Sequence, residues 1–203
     1  SPGKTVADPM AAYLAVDRSA PRHECWVAGH MVAGLDGTAA IGGKVGALST
    51  DVDQELFRRM RQIADVVLVG AETVRREGYG LVRLSEEAKA ARQRAGKPPT
   101  PPVAVVSGSL ELNWKLKLFS QAPAHAKTMI ITTETADPAK VTEAKRHTDV
   151  ITAGTDWVEP AAALQALADR GHRVVLCEGG PMLLGEFAAA ERLDELCLTI
   201  SPI

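Results

Sequence analysis

The feature that most constrains the fold of this chain is a segment in which an apolar strand runs into a glycine turn and then into a helix. Residues 174–177 are all apolar, as a buried strand requires. Glu178-Gly179-Gly180 ends that run, and Pro181 opens a segment of helix formers that extends to Ala190. Proline suits the first helical position because its missing N–H would be unpaired there in any case. The free amides and the dipole of the new helix predict an anion-binding pocket floor with Glu178 at its lip. The alternative is that the turn only connects a strand to a helix.

Strands and helices alternate along most of the sequence. Apolar runs predict strands at residues 25–32, 66–69, 103–107, 128–133, 150–152, 174–177 and 196–200. Helical periodicity, capping residues and prolines predict helices at residues 51–64, 71–75, 85–95, 138–146, 158–168 and 181–190. This order is typical of βαβ units, so it predicts an α/β domain with a mostly parallel sheet and helices on both faces.

The domain organisation is predicted to be simple. Residues 1–24 carry three prolines and show weak periodicity, which predicts an N-terminal extension with one short helical turn. Residues 25–203 are predicted to form a single domain. Because the sequence stops directly after the last predicted strand, we expect this domain to lack a final strand or hairpin.

Composition argues against several classes of partner. The formal net charge is −2, which does not favour nucleic acid or an anionic membrane surface as a partner. No apolar run approaches the roughly 20 residues that span a bilayer, and the first eight residues lack the apolar core of a signal peptide. The cysteines at 25, 177 and 197 are far apart, so free thiols and a cytoplasmic location are predicted.

Most familiar catalytic motifs are absent from the sequence. The five histidines are scattered and no Cys-x-x-Cys pair occurs, so no metal site is predicted. The chain also lacks a nucleophile elbow, a Walker-type loop and a Gly-x-Gly-x-x-Gly fingerprint. The remaining candidates for a functional site are three polar or glycine turns, each directly after a predicted strand, at residues 33–37, 70–75 and 178–181. Taken singly, Asp36-Gly37 is a common turn and Thr73 is a common helix-capping residue.

Together these segments resemble the reductase half of the bacterial bifunctional riboflavin-biosynthesis deaminase–reductase. That family reads roughly S-L-D-G, V-G-x-x-T-V, E-G-G-P-x-L and D-E-L. In the same order, this chain has Gly34-Leu35-Asp36-Gly37, Val69-Gly70-Ala71-Glu72-Thr73-Val74, Glu178-Gly179-Gly180-Pro181-Met182-Leu183 and Asp194-Glu195-Leu196. The resemblance implies a three-layer dihydrofolate-reductase-like fold, NADPH as hydride donor and a phosphoribosylamino-pyrimidine substrate. It also implies a homodimer, to which residues 193–200 are expected to contribute.

The resemblance assigns a role to each matching position. The expected cofactor contacts are Ala33 and Leu48 beside the nicotinamide, Ser107 on the adenosine side, and Gly70, Thr73, Gly179, Gly180, Pro181, Met182 and Leu183 along the cradle. Glu178 and Asp36 are expected to face the substrate and to supply a proton, directly or through water. Arg61 is expected to reach the substrate phosphate, and Leu81 is placed on the substrate side. The alternative for Arg61 is a solvated helix face shared with Arg58 and Arg59.

Two departures from the family pattern leave the substrate open. The serine before Leu-Asp-Gly is Gly34 here. Where the family continues to Asp-Asn-Pro or Asp-Asp-Pro, this chain reads Arg76-Glu77-Gly78-Tyr79-Gly80. The deaminase half has no counterpart, so a riboflavin-pathway role requires a separate deaminase. The alternatives are a dihydrofolate-reductase-like activity on a pterin and a non-catalytic module that binds NADPH.

Overall fold

A central sheet of parallel strands organises the chain in this computed structural model, which describes residues 9–42 and 46–202. Within those ranges the strands are β1 Trp26–Gly34, β2 Val66–Gly70, β3 Val103–Val106, β4 Met129–Thr132, β5 Asp149–Thr152, β6 Val174–Cys177 and β7 Glu195–Ser201. The helices are α1 Pro9–Leu14, α2 Asp51–Ile63, α3 Ala71–Glu77, α4 Glu86–Arg94, α5 Lys117–Ser120, α6 Pro138–His147, α7 Pro160–Ala168 and α8 Pro181–Ala189. A single 3₁₀ turn at Ala124–Ala126 precedes β4.

The sheet separates two hydrophobic cores. Its strand order is β5-β4-β3-β2-β6-β1-β7, and each of these pairings is parallel. Successive strand residues point to opposite faces, so Val66 and Leu68 enter one core while Val67 and Val69 enter the other. Helices α7 and α8 pack on the first face, and α2, α3 and α5 pack on the second. The predicted three-layer α/β architecture with helices on both faces is therefore confirmed.

Local signals account for most of the helix boundaries. Thr50 caps α2 by accepting a hydrogen bond from the Asp53 amide at 3.3 Å. Helix α7 begins at Pro160, two residues later than predicted, because a residue that precedes proline is disfavoured in helical geometry. The short helix α5 and the 3₁₀ turn were not predicted, since four and three residues are too few to show a period.

The order of the strands brings distant parts of the chain together at one edge of the sheet. Strand β6 lies between β2 and β1, so the turns that follow these three strands meet although they are far apart in sequence. In open α/β sheets, ligands bind at the carboxyl ends of the strands where the strand order changes direction. The candidate site is therefore sought at this edge. In the described part of the chain, no helix has the length and apolarity that a membrane crossing requires.

Candidate active site

The turns after β2 and β6 are joined directly. The Gly70 amide donates to the Gly179 carbonyl at 2.8 Å, and the Glu178 amide donates to the Leu68 carbonyl at 2.9 Å. A Cβ added at Gly180 would lie 3.2 Å from the Thr73 hydroxyl oxygen, so the start of α3 and the start of α8 touch at this point. The Gly179–Gly180 peptide is cis, and Gly179 has φ +83, a left-handed conformation that favours glycine. The second and third sequence motifs therefore form one continuous surface.

The start of α8 presents unpaired backbone donors. No side chain caps the helix at Gly180. The first paired amide is that of Leu184, which donates to the Gly180 carbonyl at 3.1 Å. Pro181 has no N–H, and the amides of Met182 and Leu183 have no acceptor among the described residues, so they are available to a ligand. Together with the helix dipole, these two donors favour an anionic group at the turn.

A carboxylate, a guanidinium and a phenol form the polar centre of the site. Arg61 Nε and Nη2 donate to the two Glu178 carboxylate oxygens, each at 2.7 Å. The Tyr79 hydroxyl donates to Glu178 Oε2 and accepts from Arg61 Nη2 at 3.0 Å. The Glu178 side chain is only 2% exposed and that of Arg61 is 15% exposed. This geometry is a bidentate ion pair that is largely shielded from water.

Helix α2 directs the Arg61 side chain towards the sheet and leaves those of Arg58 and Arg59 on its exposed face. Asp53, Phe57 and Arg61 recur at intervals of four on the helix face that packs on the sheet. The Arg61 guanidinium lies 4.1 Å from the centroid of the Phe57 ring, which supports its orientation. Arg58 and Arg59 instead pair with Glu55 on the exposed face. The solvated-face alternative thus describes those two arginines and does not describe Arg61.

Tyr79 is the member of this cluster that sequence reasoning missed. It belongs to the turn in which the chain departs from the family pattern, and that turn follows α3 because Gly78 ends the helix in a left-handed conformation. Burial, with the adjacent Glu178 carboxylate as a further cause, raises the pKa of Tyr79 well above its usual value. Tyr79 is therefore protonated at neutral pH and acts as a hydrogen-bond donor to Glu178. The only signal in the sequence was an aromatic residue where the family has an acidic turn.

The hydrogen bonds of Glu178 bear on its expected role as a proton donor, which stays a prediction. Both of its oxygens accept hydrogen bonds, from Arg61 and from the protonated Tyr79. In this arrangement the carboxylate is an acceptor that positions other groups. Two nitrogens of the Arg61 guanidinium, Nε and Nη2, donate to Glu178, and the expected contact of Arg61 with a substrate phosphate stays a prediction.

Asp36 lies apart from Glu178. Gly29 pairs with Cys177, so Glu178 is level with His30, and β1 continues from there to Gly34. At about 3.3 Å per residue, those four further positions carry the strand about 13 Å beyond Glu178. Asp36 follows in an exposed turn, where the Thr38 amide and hydroxyl hold the pKa of its carboxyl below the usual value. Asp36 is therefore an ionised group at the rim of the site and is poorly suited to donate a proton.

A buried histidine lies next to the ion pair. His30 Nε2 is 3.3 Å from Asp53 Oδ1, and its ring centroid is 4.8 Å from that of Phe57. Asp53 also accepts hydrogen bonds of 2.6 Å from Ser49 and from Thr199 on β7. Burial lowers the pKa of His30, while Asp53 and Glu178 oppose that shift. The neutral imidazole is thus a packed strand residue, as the sequence predicts, and it borders the polar cluster.

The remaining predicted residues occupy different parts of this edge. Ala33 lies on the same face of β1 as Met31, whose sulfur would be 3.2 Å from a Cβ on Gly179. Ser107 follows β3 and is buried, with its hydroxyl oxygen accepting from the Leu110 amide at 3.0 Å. Leu48 is buried in the turn before α2. Leu81 lines a separate hollow together with Pro101 and His125, and its expected contact with the substrate stays a prediction.

The described residues contain no group of three or more His, Cys, Asp or Glu side chains that could hold a metal ion.

Comparisons with known proteins agree with the family that the sequence motifs indicate. The family model described as the RibD C-terminal domain matches residues 25–203. A 2,5-diamino-6-ribosylamino-4(3H)-pyrimidinone 5′-phosphate reductase from Archaeoglobus fulgidus is 28% identical over 156 residues, which cover 77% of this chain and 70% of that protein. The riboflavin biosynthesis protein RibD of Mycobacterium tuberculosis is 27% identical over 202 residues, and the match covers 98% of this chain and 48% of RibD. The chain thus spans about half the length of that relative.

Solved structures show the same architecture. The crystal structure of a pyrimidine reductase-like protein from Corynebacterium diphtheriae matches with a TM-score of 0.81 and 28% identity, over 89% of this chain and 76% of that one. RibD from Acinetobacter baumannii matches with a TM-score of 0.68 at 18% identity, over 88% of this chain and 46% of that one. This second likeness supports the fold alone. The chain therefore belongs to the RibD C-terminal domain family, the reductase domain of riboflavin biosynthesis.

Proposed function

We propose that this chain is an NADPH-dependent oxidoreductase that reduces the ribosyl part of a ribosylamino-pyrimidine 5′-phosphate to a ribityl chain. The observation that carries the proposal is the junction of the Gly70–Thr73 turn with the Gly179–Gly180 turn, beside the Arg61–Glu178 pair. Family membership and the reductase names of the relatives support the same reaction class.

The residues at the junction fit a dinucleotide cofactor. The unpaired amides of Met182 and Leu183 suit a phosphate group at the start of α8. Glycine at 179 and 180 allows the turn to pack against Met31 and the Thr73 hydroxyl, so that both turns can contact one ligand. Thr73 adds a hydroxyl from the facing helix, while Ala33 and Leu48 line the nicotinamide side and Ser107 the adenosine side. When bound, NADPH supplies the hydride.

The polar cluster fits the substrate side of the same site. Glu178 is held in one orientation by Arg61 and Tyr79, so it can accept a hydrogen bond from a substrate hydroxyl or amine and orient the carbon to be reduced. The proton that accompanies the hydride comes from solvent in this proposal, since neither Glu178 nor Asp36 is arranged as a donor. Asp36 at the rim is placed to contact the distal end of an elongated substrate.

The test combines cofactor binding with a substrate panel. We expect NADPH to bind with a dissociation constant in the micromolar range and to be oxidised with 5-amino-6-(5-phosphoribosylamino)uracil or its 2,5-diamino-pyrimidinone counterpart, faster than with dihydrofolate. Thr73→Val is expected to weaken NADPH binding about tenfold, whereas Thr142→Val, on the exposed face of α6, leaves it unchanged. Absence of NADPH binding refutes the proposal. Tight binding without turnover of any of these substrates supports a non-catalytic module instead.

We further propose that the chain forms a homodimer through β7. No described strand pairs with the outer side of this edge strand, and Leu196, Leu198 and Ile200 are each about half exposed on one of its faces. Leu196 approaches Gly29 on the side of α8, which stops short of covering this stripe. A second copy would bury the three apolar side chains.

Sedimentation equilibrium tests this assembly. The unaltered protein is expected to sediment as a dimer at micromolar concentration, and Leu198→Glu is expected to sediment as a monomer because it places a charge in the apolar stripe. The matched control is Val52→Glu, which alters an equally apolar residue that is 80% exposed on α2. A monomeric unaltered protein refutes the assembly.

We propose a cytoplasmic location for the protein, since its three cysteines are free.

A further inference from the structure

A second cavity lies at the amino edge of the sheet, opposite the candidate active site. Its volume is about 520 Å³, within the range of small-molecule sites. It is bounded by the segment after α1, by the C-terminal end of α2, by α4, and by the residues that precede β2 and β6. None of the residues assigned to cofactor or substrate lines it.

The charged residues of this cavity are mostly cationic. Arg18, Arg92, Lys97 and Arg173 line it, and Asp65 is the only acidic residue of the lining. Glu195, outside the lining, compensates Arg18 through a hydrogen bond of 2.6 Å, and Lys97 is 2.7 Å from Asp65. Asp65 Oδ2 accepts a hydrogen bond of 2.9 Å from the Arg173 backbone amide, but no carboxylate of the described residues contacts the guanidinium group of Arg92 or of Arg173. This local excess contrasts with the net charge of −2 of the whole chain.

Arg92 is the most deeply buried member of this group. It is 1% exposed and donates to the carbonyls of Gln62 and Ala64 at 2.9 and 2.6 Å, where α2 ends. Its Nη2 atom is shielded from solvent and has no hydrogen-bond partner among the described residues. Burial lowers the pKa of Arg92 to about 10, and Asp65 opposes that shift only in part. A buried cation without a direct counter-charge is stabilised when an anion binds nearby.

Much of the cavity wall is apolar. Leu14, Val16, Ile63, Ala91 and Ala95 line it alongside the cations. An inorganic anion would leave this apolar surface in contact with water, whereas a molecule with an apolar body and one anionic group matches both parts of the lining. The chemical class that fits is therefore a small amphipathic organic anion.

We propose that this cavity binds a small amphipathic organic anion, such as a phosphate monoester or carboxylate on an aromatic or alkyl body, at a site separate from that of the cofactor and substrate. Arg173 and Lys97, at the more exposed side, contact the anionic group, and Arg92 contributes its charge from beneath. Arg92 Nη1 also contacts the Arg61 carbonyl at 3.5 Å.

The experiment is calorimetric titration with phenyl phosphate, with and without saturating NADPH. We expect saturable binding in the millimolar range or tighter in both cases, and weaker binding of inorganic phosphate. Arg173→Gln is expected to weaken phenyl phosphate binding about fivefold through loss of one charge contact, and Arg173→Lys is expected to restore most of it. The matched control is Arg170→Gln, which alters an exposed arginine outside the cavity.

Three results would overturn the proposal. They are absence of saturable binding at 10 mM probe, loss of binding when NADPH is present, and equal affinities for the Arg173→Gln and Arg170→Gln variants. Loss of binding with NADPH would assign the probe to the active site. If the protein fails to bind NADPH at all, the proposed function fails, while the comparison of the two arginine variants still decides whether the cavity is a site.

Discussion

Replacing Arg61 with alanine is expected to lower the free energy of unfolding by about 3 kcal/mol, as measured by urea denaturation, and to reduce kcat/KM at least tenfold. The variant leaves the Glu178 carboxylate, which is 2% exposed, without its bidentate partner. An unpaired buried charge costs more than the ion pair itself contributes, since its desolvation is no longer offset. Tyr79 retains one hydrogen bond to Glu178, but a neutral phenol cannot replace the guanidinium charge.

Arg58→Ala is the matched control for this prediction. Arg58 lies on the same helix and pairs with Glu55, and both side chains are about half exposed. Its removal is expected to change the free energy of unfolding by less than about 0.5 kcal/mol. Equal losses of unfolding free energy in Arg61→Ala and Arg58→Ala would show that the Arg61–Glu178 pair is not shielded from water.

Replacing Gly179 with alanine is expected to weaken NADPH binding by tenfold or more, which corresponds to about 1.4 kcal/mol. Gly179 has φ +83, a conformation that L side chains rarely adopt, and the new Cβ would lie 3.2 Å from the Met31 sulfur. The backbone is therefore expected to shift, and its carbonyl would no longer meet the Gly70 amide at 2.8 Å. Isothermal titration with NADPH measures the change in affinity.

Gly185→Ala provides the control within the same element. Gly185 lies inside α8, and a Cβ added there would meet no atom within 4 Å. Alanine is favoured over glycine in a helix interior by up to about 1 kcal/mol, so this variant is expected to be at least as stable as the parent and to bind NADPH unchanged. Unchanged NADPH binding in the Gly179→Ala variant would contradict the proposed contact between this turn and the cofactor.

Sequence patterns predict those helices and strands for which several local signals agree. Thr50, the acidic first turn and the apolar spacing of α2 all indicate the same helix, and the structure has it at residues 51–63. Continuous apolar runs likewise mark β2 and β6. Helix α5 escaped prediction because a single turn has no period, and it is held by tertiary packing of Leu118 and Phe119.

The site was predictable where it consists of glycine turns and was not predictable where it depends on long-range pairing. In the turn at residues 178–181, the two glycines and the proline themselves indicate a sharp turn followed by the start of a helix. The contact of Tyr79 with Glu178 joins residues 99 positions apart, and no local pattern encodes it. The partners of Glu178, Arg61 and Tyr79, likewise became visible only in the folded chain, and its expected role as a proton donor stays a prediction.

The position of β6 has a consequence for how the chain assembles. This strand appears late in the sequence, yet it fills the gap between β1 and β2 in the middle of the sheet. Until residues 174–177 arrive, those two strands have no partner between them, and the edges that β6 later covers remain open. Such non-local pairings are slow to form and leave strands exposed to intermolecular association. The same strand carries Glu178 and the glycine turn at its end, so the candidate active site cannot assemble before β6 has paired with β2.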